Sequence, residues 1–89
     1  MKTARILVTG KVQGVFYRVS AKKAADDLGI TGWVKNLKDN QVELLAEGDY
    51  SKLLTLIEWC KQGPPSAYVT SIEVEWAAVS SHFSDFQIR

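Results

Sequence analysis

The sequence predicts an α+β fold in which two helices cover one face of an antiparallel sheet. Three observations support this prediction. Apolar residues alternate with polar ones in several short segments, as they do in half-buried strands. They recur every three or four residues in two other segments, as in amphipathic helices. These segments follow the order β-α-β-β-α-β, and one domain over residues 1–89 accommodates them all.

The first half of the chain predicts a strand, a helix and a hairpin. Residues 6–9 favour a strand that ends at Gly10. A helix follows, capped by Gly29, and its apolar stripe consists of Tyr17, Ala21, Ala24, Ala25 and Leu28. Residues 30–37 and 42–47 predict two strands joined by the turn Lys38-Asp39-Asn40, since Asp and Asn tolerate the left-handed conformations of hairpin turns.

The second half predicts another helix and one or two strands. The helix covers residues 50–62 with Asp49 as N-cap, and Gly63-Pro64-Pro65 ends it. Its predicted buried stripe is Tyr50, Leu53, Leu54, Ile57 and Cys60. A long strand then presents one face made of Tyr68, Thr70, Ile72, Val74 and Trp76. With a short edge strand possible at residues 85–89, the order predicts a ferredoxin-like βαββαβ sandwich.

Composition narrows the class of function. The formal net charge of +1 argues against a protein built mainly to bind nucleic acid. Cys60 is the sole cysteine, so an internal disulfide is excluded and a reducing, cytoplasmic location is expected. The opening residues carry an apolar run of only three, at 6–8, so neither a signal peptide nor a membrane span is expected. One short domain suggests a monomer.

One segment has the residues of a candidate functional site: Gly10-Lys11-Val12-Gln13-Gly14-Val15-Phe16-Tyr17-Arg18. It joins a strand to the N-terminus of a helix. There the backbone N–H groups lack intrahelical partners, and the helix dipole has its positive end. Gly14 lets the chain curl, so that several N–H groups converge on one oxyanion. Arg18 adds a planar fork suited to two phosphate oxygens. The loop therefore predicts a phosphate site that needs no metal or other cofactor.

The same stretch closely resembles the acylphosphatase signature of Gly, any residue, Val, Gln, Gly, Val, any residue, an aromatic, and Arg. Gly32-Trp33-Val34-Lys35-Asn36, followed by Val42 and Gly48, resembles the second signature of that family. One residue departs from it, since Asn40 stands where the family has a turn glycine. Asparagine is a common substitute at positive φ, so the turn is expected to survive.

The resemblance implies the fold given above and an activity, the hydrolysis of a carboxyl-phosphate anhydride to carboxylate and inorganic phosphate. It implies that Arg18 binds the phosphate and that Asn36 orients the attacking water. The implied N–H cradle is formed by Gln13, Gly14, Val15, Phe16, Tyr17 and Arg18. A small-molecule acyl phosphate would be the substrate, phosphate or sulfate would inhibit, and no metal is implied.

The residues disfavour two other functions. An RNA-recognition domain of the same topology needs aromatics on a central strand, but residues 42–47 are acidic and have none. A relative that binds an anion without turnover is disfavoured because Arg18 and Asn36 are both present. Among other candidates, Tyr17 and Cys60 are expected in the core, and His82 is expected to be incidental, since no second histidine accompanies it.

Overall fold

The structure, a computed structural model, describes residues 1–77 and 83–89, so His82 lies outside the described residues. Within these ranges the chain forms five strands and two helices in the predicted order. They are β1 (Lys2–Lys11), α1 (Tyr17–Asp27), β2 (Thr31–Asn36), β3 (Gln41–Gly48), α2 (Tyr50–Gln62), β4 (Tyr68–Ala77) and β5 (Phe86–Ile88). The predicted ferredoxin-like sandwich and its C-terminal edge strand are confirmed.

The five strands form one sheet in the order β4-β1-β3-β2-β5. The first four strands pair antiparallel, whereas β5 runs parallel to β2. The sheet is therefore mixed, and the prediction of an antiparallel sheet is wrong at this edge. The reason is topological. β4 finishes at the same end of the sheet at which β2 begins, and a later strand that starts from that end must run in the same direction as β2.

The core lies between the helices and one face of the sheet. The strands contribute their alternate residues to it, and the helices contribute the stripes that face them. Its members from β1, β3 and the two helices are Ala4, Ile6, Val8, Val42, Leu44, Ala46, Tyr17, Ala21, Ala25, Leu53, Leu56, Ile57 and Cys60. The alanines of α1 are small, so this helix lies close to the sheet and its first turn is held near the ends of β1 and β2.

Three predicted details are wrong or incomplete. On α2 the buried stripe includes Leu56, while Tyr50 is 50% and Leu54 is 41% exposed. The four buried residues of α2 are spaced 3, 1 and 3 positions apart, so they lie on one face of the helix, and Leu54 lies outside that face. On β4 the predicted face is exposed at Tyr68, Thr70 and Trp76. Val69 packs against the core in place of Tyr68 and Thr70, because the register shift opposite Thr9 and Gly10 reverses the alternation of side chains before Ser71. Asp49 is the N-cap residue of α2 but makes no side-chain cap bond.

The first strand extends past its predicted end. Gly10 adopts a φ of 138°, and the register of β1 against β4 shifts between Thr9 and Gly10. A Cβ at Gly10 would lie 2.2 Å from the Tyr68 carbonyl oxygen, so only glycine allows the two backbones this close approach. The extra residue in this register is Thr70 of β4, so the bulge lies in β4 opposite Gly10, and β1 continues to Lys11.

The β2–β3 turn keeps the geometry that the sequence predicts. Asp39 and Asn40 adopt φ angles of 61° and 59°, and the Leu37 N–H donates to the Gln41 carbonyl at 2.8 Å. Asparagine thus occupies the left-handed conformation in place of the expected glycine. The Gly10 N–H donates to the Asn40 carbonyl at 3.2 Å, so the turn that follows Asn36 contacts the end of β1.

Candidate active site

The loop between β1 and α1 has an unusual backbone. Gly14 has a φ of 73°, and Phe16, the N-cap residue of α1, has a φ of 65° and a ψ of 25°. A left-handed conformation costs a residue with a side chain about 1–2 kcal/mol. Buried side chains on either side, Val12 and Val15, anchor the loop against the core. The packing therefore holds a strained conformation in place, as is common at functional sites.

The N–H groups of this loop and of the first helical turn have no protein acceptor among the described residues. The Val12 N–H donates to the Gly10 carbonyl at 3.0 Å, and the next backbone donor with an acceptor is Ser20, which bonds the Phe16 carbonyl at 3.1 Å. No side chain caps the helix. The N–H groups of residues 13–19 are thus available, and the positive end of the helix dipole lies behind them. This is the arrangement that binds an oxyanion.

One loop side chain joins the loop to the β2–β3 hairpin. The amide nitrogen of Gln13 donates to the Leu37 carbonyl at 2.6 Å and to the Gln41 carbonyl at 2.9 Å. Both acceptors lie beside the turn that follows Asn36. The Gln13 side chain therefore sets the position of the loop relative to the strand that carries Asn36.

We expect Gln13→Ala to lower the free energy of unfolding by about 1–3 kcal/mol, because the loop carbonyl of Leu37 loses its donor. Gln13→Glu has nearly the same shape but would place carboxylate oxygens against two carbonyl oxygens, so it should destabilise at least as much. Urea unfolding measures both changes. Gln87→Ala, on the exposed part of β5, is the control and should change stability little. Equal stability of Gln13→Glu and the wild type would contradict this role.

Arg18 lies in the first turn of α1 and is held by the C-terminal residue. Its Nη1 donates to the Arg89 carbonyl oxygen at 2.9 Å. Arg89 is itself positioned by β2, since its N–H donates to the Val34 carbonyl at 2.8 Å and its guanidinium lies 5.2 Å from the centre of the Trp33 ring. One N–H of Arg18 is used in this way, and no described residue accepts from its other guanidinium donors, which leaves them for a ligand.

Asn36 is the last residue of β2 and is exposed. Within the part of the chain that the structure describes, no protein group forms a hydrogen bond with its side-chain amide, so the amide is free to bind a ligand or water. Asn36 and Arg18 line the same cleft, which has a volume of about 250 Å³. Residues from the two separate sequence signatures therefore meet at one place.

The cleft contains most of the predicted site residues and three others. Gly14, Phe16 and Tyr17 line it with Arg18 and Asn36, whereas Gln13 reaches the hairpin and Val15 is buried. The sequence did not predict that Val12, Val19 and Ile88 also line the cleft. The position of Val19 immediately after Arg18 was an available signal for one of them; nothing in the sequence places Ile88 there.

Tyr17 lines the cleft but its hydroxyl is directed into the protein. The hydroxyl donates to the Cys60 carbonyl at 2.8 Å, and the side chain is buried. Burial, with a smaller contribution from Cys60, raises the pKa of Tyr17, and burial raises the pKa of the Cys60 thiol to about 12. The prediction that both residues belong to the core is confirmed, and neither ionises near neutral pH.

The described residues contain neither a metal-binding cluster nor a membrane-spanning helix. No group of three or more His, Cys, Asp or Glu side chains is arranged to hold a metal ion. None of the helices is both long enough and apolar enough to cross a membrane.

Comparison with known proteins gives a consistent family. The family model described as Acylphosphatase matches residues 4–88. The acylphosphatase of Methylococcus capsulatus is 50% identical over 88 residues, which are 99% of this chain and 96% of that protein.

Solved structures agree with the sequence comparison. The crystal structure of acylphosphatase from Bacillus subtilis superposes with a TM-score of 0.97 at 39% identity, and covers 100% of this chain and 99% of that one. The acylphosphatase of Coxiella burnetii gives a TM-score of 0.94 at 44% identity, covering 99% of this chain and 92% of that chain. The likeness extends over nearly the whole of both chains.

Proposed function

Because this chain belongs to the acylphosphatase family, hydrolases of acyl phosphates that act without a metal, we propose how its own residues perform that reaction. The loop of residues 13–18 binds the phosphate, and Asn36 orients the attacking water. The main support for this proposal is that the free N–H groups, the Arg18 guanidinium and the Asn36 amide all lie at one cleft.

Phosphate binding follows from the two kinds of donor. The N–H groups of the loop and first helical turn are held by the backbone, so they need no reorganisation when an oxyanion arrives. Arg18 is oriented by the Arg89 carbonyl, and its planar fork matches two phosphate oxygens. Together they stabilise the charge that lies on the equatorial oxygens in a loose phosphoryl-transfer transition state.

The attacking water is held by Asn36. A neutral amide can accept from the water and donate to it, and so places its oxygen in line with the bond that breaks. The water oxygen forms a bond to phosphorus, and the bond from phosphorus to the carboxyl oxygen breaks with its electron pair. The carboxylate leaves without needing a proton, because it is a weak base. A phosphoryl oxygen of the substrate takes the proton of the water, which gives carboxylate and inorganic phosphate.

The test is phosphate release from acetyl phosphate, with a phosphate monoester as the control substrate. We expect rapid hydrolysis of the acyl phosphate and none of the monoester, whose leaving group needs a proton. Inorganic phosphate or sulfate should inhibit competitively, since each fits the same cradle. Binding of phosphate without any hydrolysis would favour the alternative of an anion-binding relative that lacks turnover.

The pH profile is a further prediction. Of the residues that line the cleft only Tyr17 and Arg18 can ionise. Burial raises the pKa of Tyr17, so its phenol stays protonated into alkaline solution, and arginine stays charged. Turnover at saturating substrate should therefore be nearly flat from about pH 5 to pH 8, where a histidine would titrate. A limb near neutrality that vanished in His82→Gln would contradict this, and a chelator should have no effect.

The site also supports a monomer as the functional unit. Arg18, Asn36 and the loop all come from one chain, so no second copy is needed to complete the cleft. The free, buried thiol of Cys60 agrees with a reducing compartment, and we propose the cytoplasm.

A further inference from the structure

Strand β5 is held by side chains of α1 at both of its ends. The strand has three residues, Phe86–Ile88, and forms an edge of the described sheet. The Lys22 ammonium donates to the Phe86 carbonyl at 2.7 Å, and Arg18 Nη1 donates to the Arg89 carbonyl at 2.9 Å. Arg18 and Lys22 are four residues apart, so they lie on the same face of the helix. One face of α1 therefore contacts the strand at its first residue and just beyond its last.

The Phe86 carbonyl lies on the free edge of the described sheet. β2 pairs with the other edge of β5, where the Gly32 N–H donates to the Asp85 carbonyl at 2.9 Å. Consecutive peptide groups of a strand point to opposite sides, so the next carbonyl, that of Phe86, points away from β2. There Lys22 supplies a charged donor, and a hydrogen bond of this kind is about twice as strong as a neutral one.

The position of β5 affects the cleft through Arg18. The Arg89 carbonyl is the acceptor that fixes one nitrogen of the Arg18 guanidinium, and Arg89 directly follows the strand. Lys22 does not line the cleft. Apart from the long-range effect of its charge, Lys22 can therefore act on a bound phosphate only through the elements that it holds together.

The next residue, Lys23, provides an internal comparison. Lys22 and Lys23 each pair with an aspartate four residues later, Asp26 at 3.0 Å and Asp27 at 3.1 Å. The Lys22 side chain is 39% exposed and also reaches the Phe86 carbonyl, whereas the Lys23 side chain is 78% exposed. The two lysines thus have the same charge and the same kind of ion pair, and they differ in the contact with β5.

We propose that Lys22 is a positioning residue for the reaction of this cleft: it fixes the start of β5, and through β5 it fixes the Arg89 carbonyl that orients Arg18. This inference rests on the proposed phosphate-binding role of Arg18. An arginine side chain has many rotamers, and ordering it when a ligand binds costs conformational entropy. An acceptor that is already in place removes that cost before phosphate arrives, which favours both binding and turnover.

The experiment compares Lys22→Met with Lys23→Met. Methionine keeps a long apolar stem and a high helix propensity, so both variants should fold. Calorimetry gives the dissociation constant of inorganic phosphate, and steady-state kinetics gives the turnover of acetyl phosphate. We expect Lys22→Met to raise the first and lower the second about tenfold each, the lower end of the effect of removing a residue that orients a metal ligand. Lys23→Met should change each by less than about twofold, because an exposed ion pair contributes little.

A second comparison tests the route through Arg18. In Arg18→Ala the guanidinium that Lys22 positions is absent, so adding Lys22→Met should change the phosphate dissociation constant by less than about twofold. A general structural loss, or the loss of a distant charge, would act by the same factor with and without Arg18. Lys22→Arg keeps a charged donor for the Phe86 carbonyl and should keep most of the wild-type affinity and turnover.

The outcomes separate this inference from the proposed function. If the wild-type protein binds phosphate but hydrolyses no acyl phosphate, the proposed function fails, and the binding comparisons still test Lys22. If Lys22→Met binds phosphate as tightly as the wild type, or weakens binding equally with and without Arg18, Lys22 does not position the guanidinium and the inference is overturned. An equal effect of Lys23→Met would overturn it as well, and a wild-type protein that binds no phosphate would overturn both proposals.

Discussion

Arg18→Ala should reduce turnover of an acyl phosphate by about a thousandfold or more, the scale seen when an arginine is removed from a phosphoryl-transfer site. The inhibition constant of inorganic phosphate should rise about thirtyfold or more, because a charge-assisted, two-pronged contact is lost from the bound ion as well. Steady-state kinetics with phosphate as competitive inhibitor measures both quantities. The backbone N–H groups remain in this variant, so the residual activity reports what the cradle does alone.

Arg18→Lys should recover little of this loss. A lysine keeps the charge, but a single ammonium group cannot both hold the Arg89 carbonyl and present a planar fork to two oxygens. Lys23→Ala is the control, because it removes a positive charge from the exposed side of the same helix. It should change turnover by less than about twofold, given how weakly exposed charges act at a distance in salt. Turnover within tenfold of wild type in Arg18→Ala would show that the N–H cradle suffices.

Local sequence signals predicted those parts of the site that depend on local geometry. Gly14 marked a positive φ, and Asp39 and Asn40 marked a turn whose two central residues have positive φ, because these residue types relieve a steric cost that acts within one residue. The stripe of α1 was also visible, since helical spacing is a property of neighbouring residues. Each of these features is determined by a residue type or by the spacing of neighbouring residues, so the sequence alone predicts it.

Other features depend on partners far along the chain. The hydrogen bonds from Gln13 to Leu37 and Gln41 span 24 and 28 residues, and the bond from Arg18 to Arg89 spans 71. No local pattern predicts which carbonyl a side chain will meet. The left-handed conformation of Phe16 was missed for the same reason, because phenylalanine does not favour it and the surrounding packing imposes it.

The sheet shows how these two kinds of information combine. The presence of a short strand near the C-terminus could be predicted from its composition, but its pairing with β2, and therefore its direction, could not. That pairing places Ile88 at the cleft and the Arg89 carbonyl at Arg18. The edge strand thus contributes to the site through its position in the sheet, which the residue pattern alone does not give.

Asn36→Ala should separate the positioning of water from the binding of phosphate. We expect turnover to fall about a hundredfold or more, the scale of losing one well-placed hydrogen-bonding group, while the inhibition constant of phosphate changes little. The reason is structural: Asn36 is on β2, whereas the phosphate donors are on the loop and α1, and the Asn36 amide has no protein partner among the described residues whose loss would disturb them. Asn36→Asp is the informative second variant. It keeps the shape and can still accept from water, but its negative charge would repel the phosphate. The inhibition constant of phosphate should therefore rise, and turnover should fall.

Lys38→Ala, in the exposed turn just beyond Asn36, controls for local disturbance of the hairpin and should preserve both quantities. Full activity in Asn36→Ala would remove the residue from the mechanism and leave it as the polar end of a strand.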